Sequence, residues 1–343
     1  MKRKIAMILV GLMCVSATGC SFNPFGEKSA VDISAADTED IFANVGEDAV
    51  IENSEASETF TNAMSAIGSA ENITIKVANN IVMGKEGEDS YQESISNSEV
   101  KIVKDGENQT GNVDIENIYR YVPSAGTEGT TGEGSSELTE EKSDITGYYS
   151  GDRLYFITND GDKVQEEMSY DDFLAVVNTY TLNLFDDCIS KAACVEEKDG
   201  KTYYISYDPA LFETTMNTNM EASGQVMADG EAMSVKYANI IAKTDTEGNL
   251  MGYGFVINAE YINDQGTVPY NYSLEADFSD RGTTKAKAVD DMDSYMTADE
   301  YTQMMQERYS EGSTDGTEGN EDTDSTGADA AEAETSAAEE STN

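Results

Sequence analysis

Val235-Lys236-Tyr237-Ala238-Asn239-Ile240-Ile241-Ala242-Lys243 opens the stretch whose reading decides the fold; Gly252 to Ile262 and Val268 to Phe278 continue it, separated by Asp245 to Asn249 and Asn263 to Gly266. The three runs are rich in branched and aromatic residues, while the intervals hold Asp, Asn and Gly, which accept tight-turn backbone. They predict a meander of three long antiparallel strands. Twisted antiparallel sheets built from strands of this length tend to curl.

The same texture continues upstream. Ile73, Ile75 and Val77 alternate with polar residues, as do Val113 and Ile115, and each run predicts a strand with one buried face. Ser150-Gly151-Asp152, Asn159-Asp160-Gly161-Asp162 and Lys198-Asp199-Gly200 carry the positive-φ chemistry of hairpins. Helices interrupt these strands. A first helix, Glu58 to Ile67, presents Phe60, Met64 and Ile67. Ser169 with Asp172 opens a second that carries Phe173, Val176, Val177 and Tyr180 on one face. Asp208 as N-cap with Pro209 starts a third, burying Leu211, Phe212, Thr215 and Met216; Thr297 with Glu300 caps a last one ending near Tyr309.

Composition divides the chain. Residues 1–19 are a signal segment, 20–57 an acidic tether rich in Ser, Ala, Asp and Glu, and 58–310 a single α+β domain interrupted by a flexible loop at 124–143. Residues 311–343 contain no Lys, Arg, aromatic or branched aliphatic residue. Such a segment buries too little apolar surface to offset its ordering entropy and is expected to be disordered.

The chain has 21 Lys and Arg against 67 Asp and Glu, a net charge of −46. That field repels nucleic-acid phosphates and anionic lipid surfaces, so neither is expected as a main ligand, whereas cationic partners are compatible with it. There is no histidine, which excludes Ser-His-Asp, Cys-His and His-zinc chemistries. Carboxylate-pair hydrolysis survives this filter. No Gly-rich phosphate loop, nucleophile elbow or metal-ligand spacing is present, and no enzyme activity, cofactor or metal is expected.

Of the four cysteines, Cys14 belongs to the signal segment, Cys20 follows it, and Cys188 and Cys194 remain. In an exported chain this pair reads as a disulfide, with two free thiols as the alternative. Six residues apart on one continuous helix they would face different sides, so a bridge requires the helix begun at Ser169 to end between them. Asn159 to Asp162 and Asp290-Asp291-Met292-Asp293 are oxygen-rich, but neither follows the calcium-loop pattern, and a hairpin turn and a solvated loop are the plainer readings. Nineteen tyrosines suit either a sugar-stacking surface or half-buried sheet faces. Met168, Met216, Met220, Met227 and Met233, near the two central helices, suit an adaptable apolar lining or ordinary core.

The N-terminus is the most specific signal. Lys2, Arg3 and Lys4 precede an apolar run from Ile5 to Val15, and Ala17-Thr18-Gly19-Cys20 follows. This arrangement resembles the lipobox of bacterial lipoproteins, with Ala17 where the family most often has Leu. The resemblance implies a diacylglycerol on Cys20, signal removal, and a protein tethered to the outer side of the cell membrane, since two acyl chains suffice for stable attachment.

A lipid-anchored exported chain in which a helix precedes long meandering strands is similar, over about residues 58–290, to the LolA and LppX type of lipoprotein. That resemblance implies a curved antiparallel sheet forming a half-barrel, with helices packed on its concave face around an apolar cavity. Its implied ligand is a lipid or other amphipathic molecule, and the expected lining is Phe173, Val177, Leu211, Phe212 and Met216. A cell-envelope adhesion or scaffold module without a cavity, and a carboxylate-based cell-wall glycan hydrolase, are the rival functions.

Overall fold

The computed structural model describes residues 29–33, 38–86, 88, 90–122, 138–178, 184–222, 231–264 and 266–312. Cys20, most of the 124–143 loop and the acidic tail beyond residue 312 lie outside them. The chain divides into two units, Met1–Ala298 and Asp299–Asn343. Of the second, the structure describes a helix in which Gln303 Nε2 donates to Glu307 Oε1 at 2.9 Å, one turn apart.

The first unit runs β1 (Val50–Ile51), α1 (Asn53–Gly68), β2 (Asn72–Met83), β3 (Gln92–Asp105), β4 (Asn108–Tyr121), β5 (Thr139–Ser150), β6 (Arg153–Ile157) and β7 (Lys163–Glu167). It continues with α2 (Tyr170–Asn178), β8 (Ile189–Glu197), β9 (Gly200–Tyr207), α3 (Pro209–Ala222), β10 (Ala232–Thr244), β11 (Leu250–Asn263), β12 (Gly266–Ser279) and β13 (Met296–Thr297). All thirteen strands join one sheet, ordered β1-β8-β9-β10-β11-β12-β2-β3-β4-β5-β6-β7-β13. Every pairing is antiparallel except β13 with β7. The result is a large, open, curved antiparallel sheet with few helices.

Local chemistry accounts for the connections. The expected meander is β10, β11 and β12, with Ile240 opposite Phe255 and Phe255 opposite Leu274. Asp245 Oδ1 accepts from the Glu247 and Asn249 amides and so folds the turn between β10 and β11. Gly151 and Asp152 both adopt φ 60°, the left-handed pair that a tight two-residue hairpin needs. Ser169 Oγ accepts from the Asp172 amide at 3.1 Å and donates to its carboxylate, which starts α2. Asp208 Oδ1 accepts from the Ala210 and Leu211 amides at 3.0 Å, which starts α3.

The helices contact one face of the sheet. Phe60 of α1 meets Tyr253 edge-on at 5.8 Å, Phe212 of α3 stacks on Tyr207 at 5.1 Å, and Phe173 of α2 stacks on Tyr149 at 4.7 Å. Cross-strand register places Tyr253, Tyr207 and Tyr149 on this helix face together with Ile73, Ile75 and Val77.

The opposite face carries two chain segments. Asp280 to Tyr295 crosses β2, β4 and β6: Thr284 bonds Thr74, Asn112 exchanges two hydrogen bonds with the Lys287 backbone, and Tyr295 meets Tyr155 edge-on at 5.3 Å. Residues 29–33 and 38–45 lie on β9 to β12, with Val31, Ile33 and Ile41 each only 7% exposed. This corrects the expectation that 20–57 is merely a tether: its apolar residues are too sparse to dominate local composition, yet they dock individually. The first helix likewise begins at Asn53, five positions before Glu58, and Asn53 Nδ2 donates to the Ile189 carbonyl at 2.8 Å. Thr139 to Ser143, expected in the flexible loop, are already strand β5, with Ser143 opposite Asn117.

Candidate functional site

Alternate residues of five strands build the site on the face opposite the helices. Gly252, Gly254 and Val256 of β11 lie beside Asp277, Glu275 and Ser273 of β12, which in turn lie beside Lys76, Ala78 and Asn80 of β2. Glycine inside a strand marks a close backbone approach, and here the approaching backbone is the strap formed by residues 29–33. A Cβ on Gly252 would come within 2.9 Å of the Ala30 Cβ, and one on Gly254 would collide with Ile33. Carboxylates then fix the strap. Asp277 accepts from the Ala30 amide at 2.9 Å and the Ser29 hydroxyl at 3.1 Å, and Glu275 accepts from the Ile33 amide at 2.8 Å.

Alongside this strap is a cavity of about 400 Å³, within the range of small-molecule sites. Ile33, Val82, Ile95 and Val256 give it apolar walls, and Asn80, Ser273, Tyr237, Thr38 and Glu275 give it polar atoms. No Lys or Arg lines it among the described residues. Asn80 Nδ2 donates to Glu93 Oε1 at 3.2 Å, while its Oδ1 is buried without a partner. Burial raises the Glu275 carboxyl above its ordinary range; the Ile33 amide offsets part of this, and Asp32 and Asp277 add to it. Burial also raises Asp277, against the strap amide of Ala30, the Ser29 hydroxyl and the charge of Lys76. A second cavity of about 360 Å³ follows the strap past Val31, Tyr204 and Lys243.

The lining expected from sequence is not brought together. Phe173 lies over β4 and β5, stacked on Tyr149 so closely to Gly111 that a Cβ there would stand 2.5 Å from its Cζ. Phe212 lies over β9 and β11, packed among Tyr207, Phe255 and Phe185. Both rings are 1% exposed, Leu211 is 53% exposed, and Met216 is half-buried. Val177 is in α2, but its side chain lies outside the described residues. Stacked rings fill the space that a cavity between sheet and helices would need, and neither cavity above touches any of the five residues.

The expected disulfide is not formed: Cys188 and Cys194 are free. Both belong to one extended passage into and along β8, which separates them by more than about 15 Å, while a bridge needs Cα atoms within about 7 Å. Asn159 to Asp162 is a hairpin turn, with Gly161 donating to the Thr158 carbonyl and Thr158 to that of Asp162. Among the described residues no group of three or more acidic or thiol side chains is placed to hold a metal ion. Glu116 and Asp144 face each other across β4 and β5, but Glu116 is 2% exposed, so this carboxylate pair has no open cleft around it. No described helix is long and apolar enough to cross a membrane.

Sequence reasoning did not single out Ile33, Asn80, Tyr237, Val256 or Glu275. One local signal was present: Gly252 and Gly254 at alternate positions of a strand.

No protein-family model matches the chain, and no curated protein matches it. Among solved structures, a DUF1329 family protein from Desulfovibrio piger aligns over 67% of this chain and 92% of its own, with 9% identity and a TM-score of 0.17. A porin-like protein from Bacteroides uniformis aligns over 61% and 96%, with 9% identity and a TM-score of 0.17. A β-barrel-like protein of the DUF1849 class from Brucella abortus aligns over 62% and 99%, with 7% identity and a TM-score of 0.14. At TM-scores this low the likenesses carry no argument about function.

Proposed function

We propose that the chain is an extracytoplasmic lipoprotein, anchored through a diacylglycerol on Cys20, that binds a small amphipathic ligand in the cavity beside its strap. The cavity carries this reading: apolar walls of Ile33, Val82, Ile95 and Val256 set against the polar atoms of Asn80, Ser273 and Glu275 suit a molecule with one apolar and one polar end. On this reading the ligand sits on the face of the curved sheet opposite the helices. Eight residues lie between Cys20 and Ser29, so the start of the strap is within about 30 Å of the anchoring residue.

Two measurements test the reading. Native mass spectrometry of residues 20–343 with Cys20→Ser should show a bound small molecule that Val256→Trp, which fills the cavity, displaces. Equal occupancy in the two proteins, or none in either, overturns the site. Fatty-acid labelling in the producing cell should disappear in Cys20→Ala; undiminished labelling overturns the anchor.

A further inference from the structure

We infer that the cavity beside the strap takes a primary alkylammonium, its chain against Ile33, Val82, Ile95 and Val256 and its ammonium between Glu275 and Asn80. This rests on the ligand-binding reading above and adds the ligand's chemical class.

The wall is short of donors. Asn80 Nδ2 faces the Glu93 carboxylate, and a carboxylate can only accept, so the orientation of the amide is fixed. Its Oδ1 is therefore left as a buried acceptor with no donor among the described residues. Among the described residues the Glu275 carboxylate receives one hydrogen bond, from the Ile33 amide, and it has lone pairs for more. Ser273, Thr38 and Tyr237 bring hydroxyls, which also accept. An ammonium offers three donors and no acceptor, which complements this set. A fatty carboxylate would face Glu275 with a like charge and bring no donor.

Charge supports the same ligand. Two cations adjoin the cavity and both are paired: Lys76 with Glu99 at 3.6 Å, opposite Asp277, and Arg120 with Glu93 at 2.9 Å and Glu140 at 2.7 Å. The chain's net charge of −46 raises the local concentration of cations. The titratable groups around Glu275 are Asp32 on the strap, Asp277 on β12, Lys76 on β2, Glu93 on β3 and Tyr237 on β10. Burial raises the Glu275 carboxyl and an arriving ammonium opposes that shift, so wherever the carboxyl is protonated, binding of the ammonium releases the proton.

Titration calorimetry on residues 20–343 with Cys20→Ser, which retains every described residue, tests the inference with n-hexylammonium and the neutral 1-hexanol. At neutral pH the ammonium should bind at least about tenfold more tightly. Glu275→Gln keeps an acceptor for the Ile33 amide; it should weaken hexylammonium selectively and so bring the two probes within about twofold of each other. Equal affinities in the parent, or an ammonium preference that survives Glu275→Gln, overturn the inference while the ligand-binding reading stands. Binding of neither probe overturns both. Should Glu275→Gln fail to fold, proton release decides: at mildly acid pH the parent should release protons on binding hexylammonium, seen as a heat that varies with buffer ionisation enthalpy, and an invariant heat overturns the inference.

Discussion

Ile33 occupies the space in which a Cβ on Gly254 would stand, and Ala30 stands in the same relation to Gly252 two residues earlier. Two glycines on one strand thus form a bed for a segment that starts more than two hundred positions before them in the sequence.

Gly254→Ala should therefore cost about 1–3 kcal/mol of stability by overpacking the strap. Removal of residues 20–37 should abolish most of that penalty, because the two changes share one contact. Urea unfolding of the four proteins gives the coupling directly; a penalty unaffected by the deletion would show that the strap is not what Gly254 accommodates.

Acid should stabilise the fold through the two carboxyls under the strap. Burial raises the Glu275 and Asp277 carboxyls in the folded protein, so they hold protons there more firmly than in the unfolded chain. Their contribution is complete below the unfolded values of about 4 and is lost as pH rises through the higher folded values. The urea midpoint should thus rise on moving from neutral to about pH 5, and rise less in Glu275→Gln/Asp277→Asn. Identical slopes would remove these carboxyls from the account.

On the helix face, Phe173→Ala should cost about 3–5 kcal/mol, since the ring is fully buried against Tyr149. Leu211→Ser, in the first turn of α3 and 53% exposed, should stay within about 0.5 kcal/mol. Thermal unfolding compares them, and equal losses would contradict the packing of α2 against the sheet.

Thiol labelling should separate the two cysteines. Cys194 is half-buried and Cys188 is 2% exposed, and burial raises the Cys194 thiol, so it should react slowly in the native protein, while Cys188 reacts only after unfolding. Two thiols per chain should label without reductant. A chain that labels only after reduction would restore the disulfide.

The meander, the hairpins at Gly151 and Gly161, and the helix starts at Ser169 and Asp208 were legible because strand alternation, turn residues and caps are local signals. The strap was not: nothing in residues 29–33 names Asp277 or Glu275, and its two buried apolar side chains, Val31 and Ile33, are diluted among Ser, Ala and Asp. Amphipathic spacing identified Phe173 and Phe212 as buried but placed a void beside them. Stacking on Tyr149 and Tyr207, which closes that void, depends on register between distant strands. Exported context suggested a bridge between Cys188 and Cys194, and only the extended backbone between them rules it out. The cavity itself is an accident of which strand faces the strap leaves bare, a property of pairing that no single segment encodes.

The first and last strands of the sheet, Val50–Ile51 and Met296–Thr297, are two residues each. A sheet margin is where one molecule's backbone can template another's; each of these end strands offers a run of only two residues to extend, and each covers two positions of the longer β8 or β7 behind it. The strands of twelve to fourteen residues lie at the heart of the sheet, each paired along both sides and so withdrawn from any neighbouring molecule.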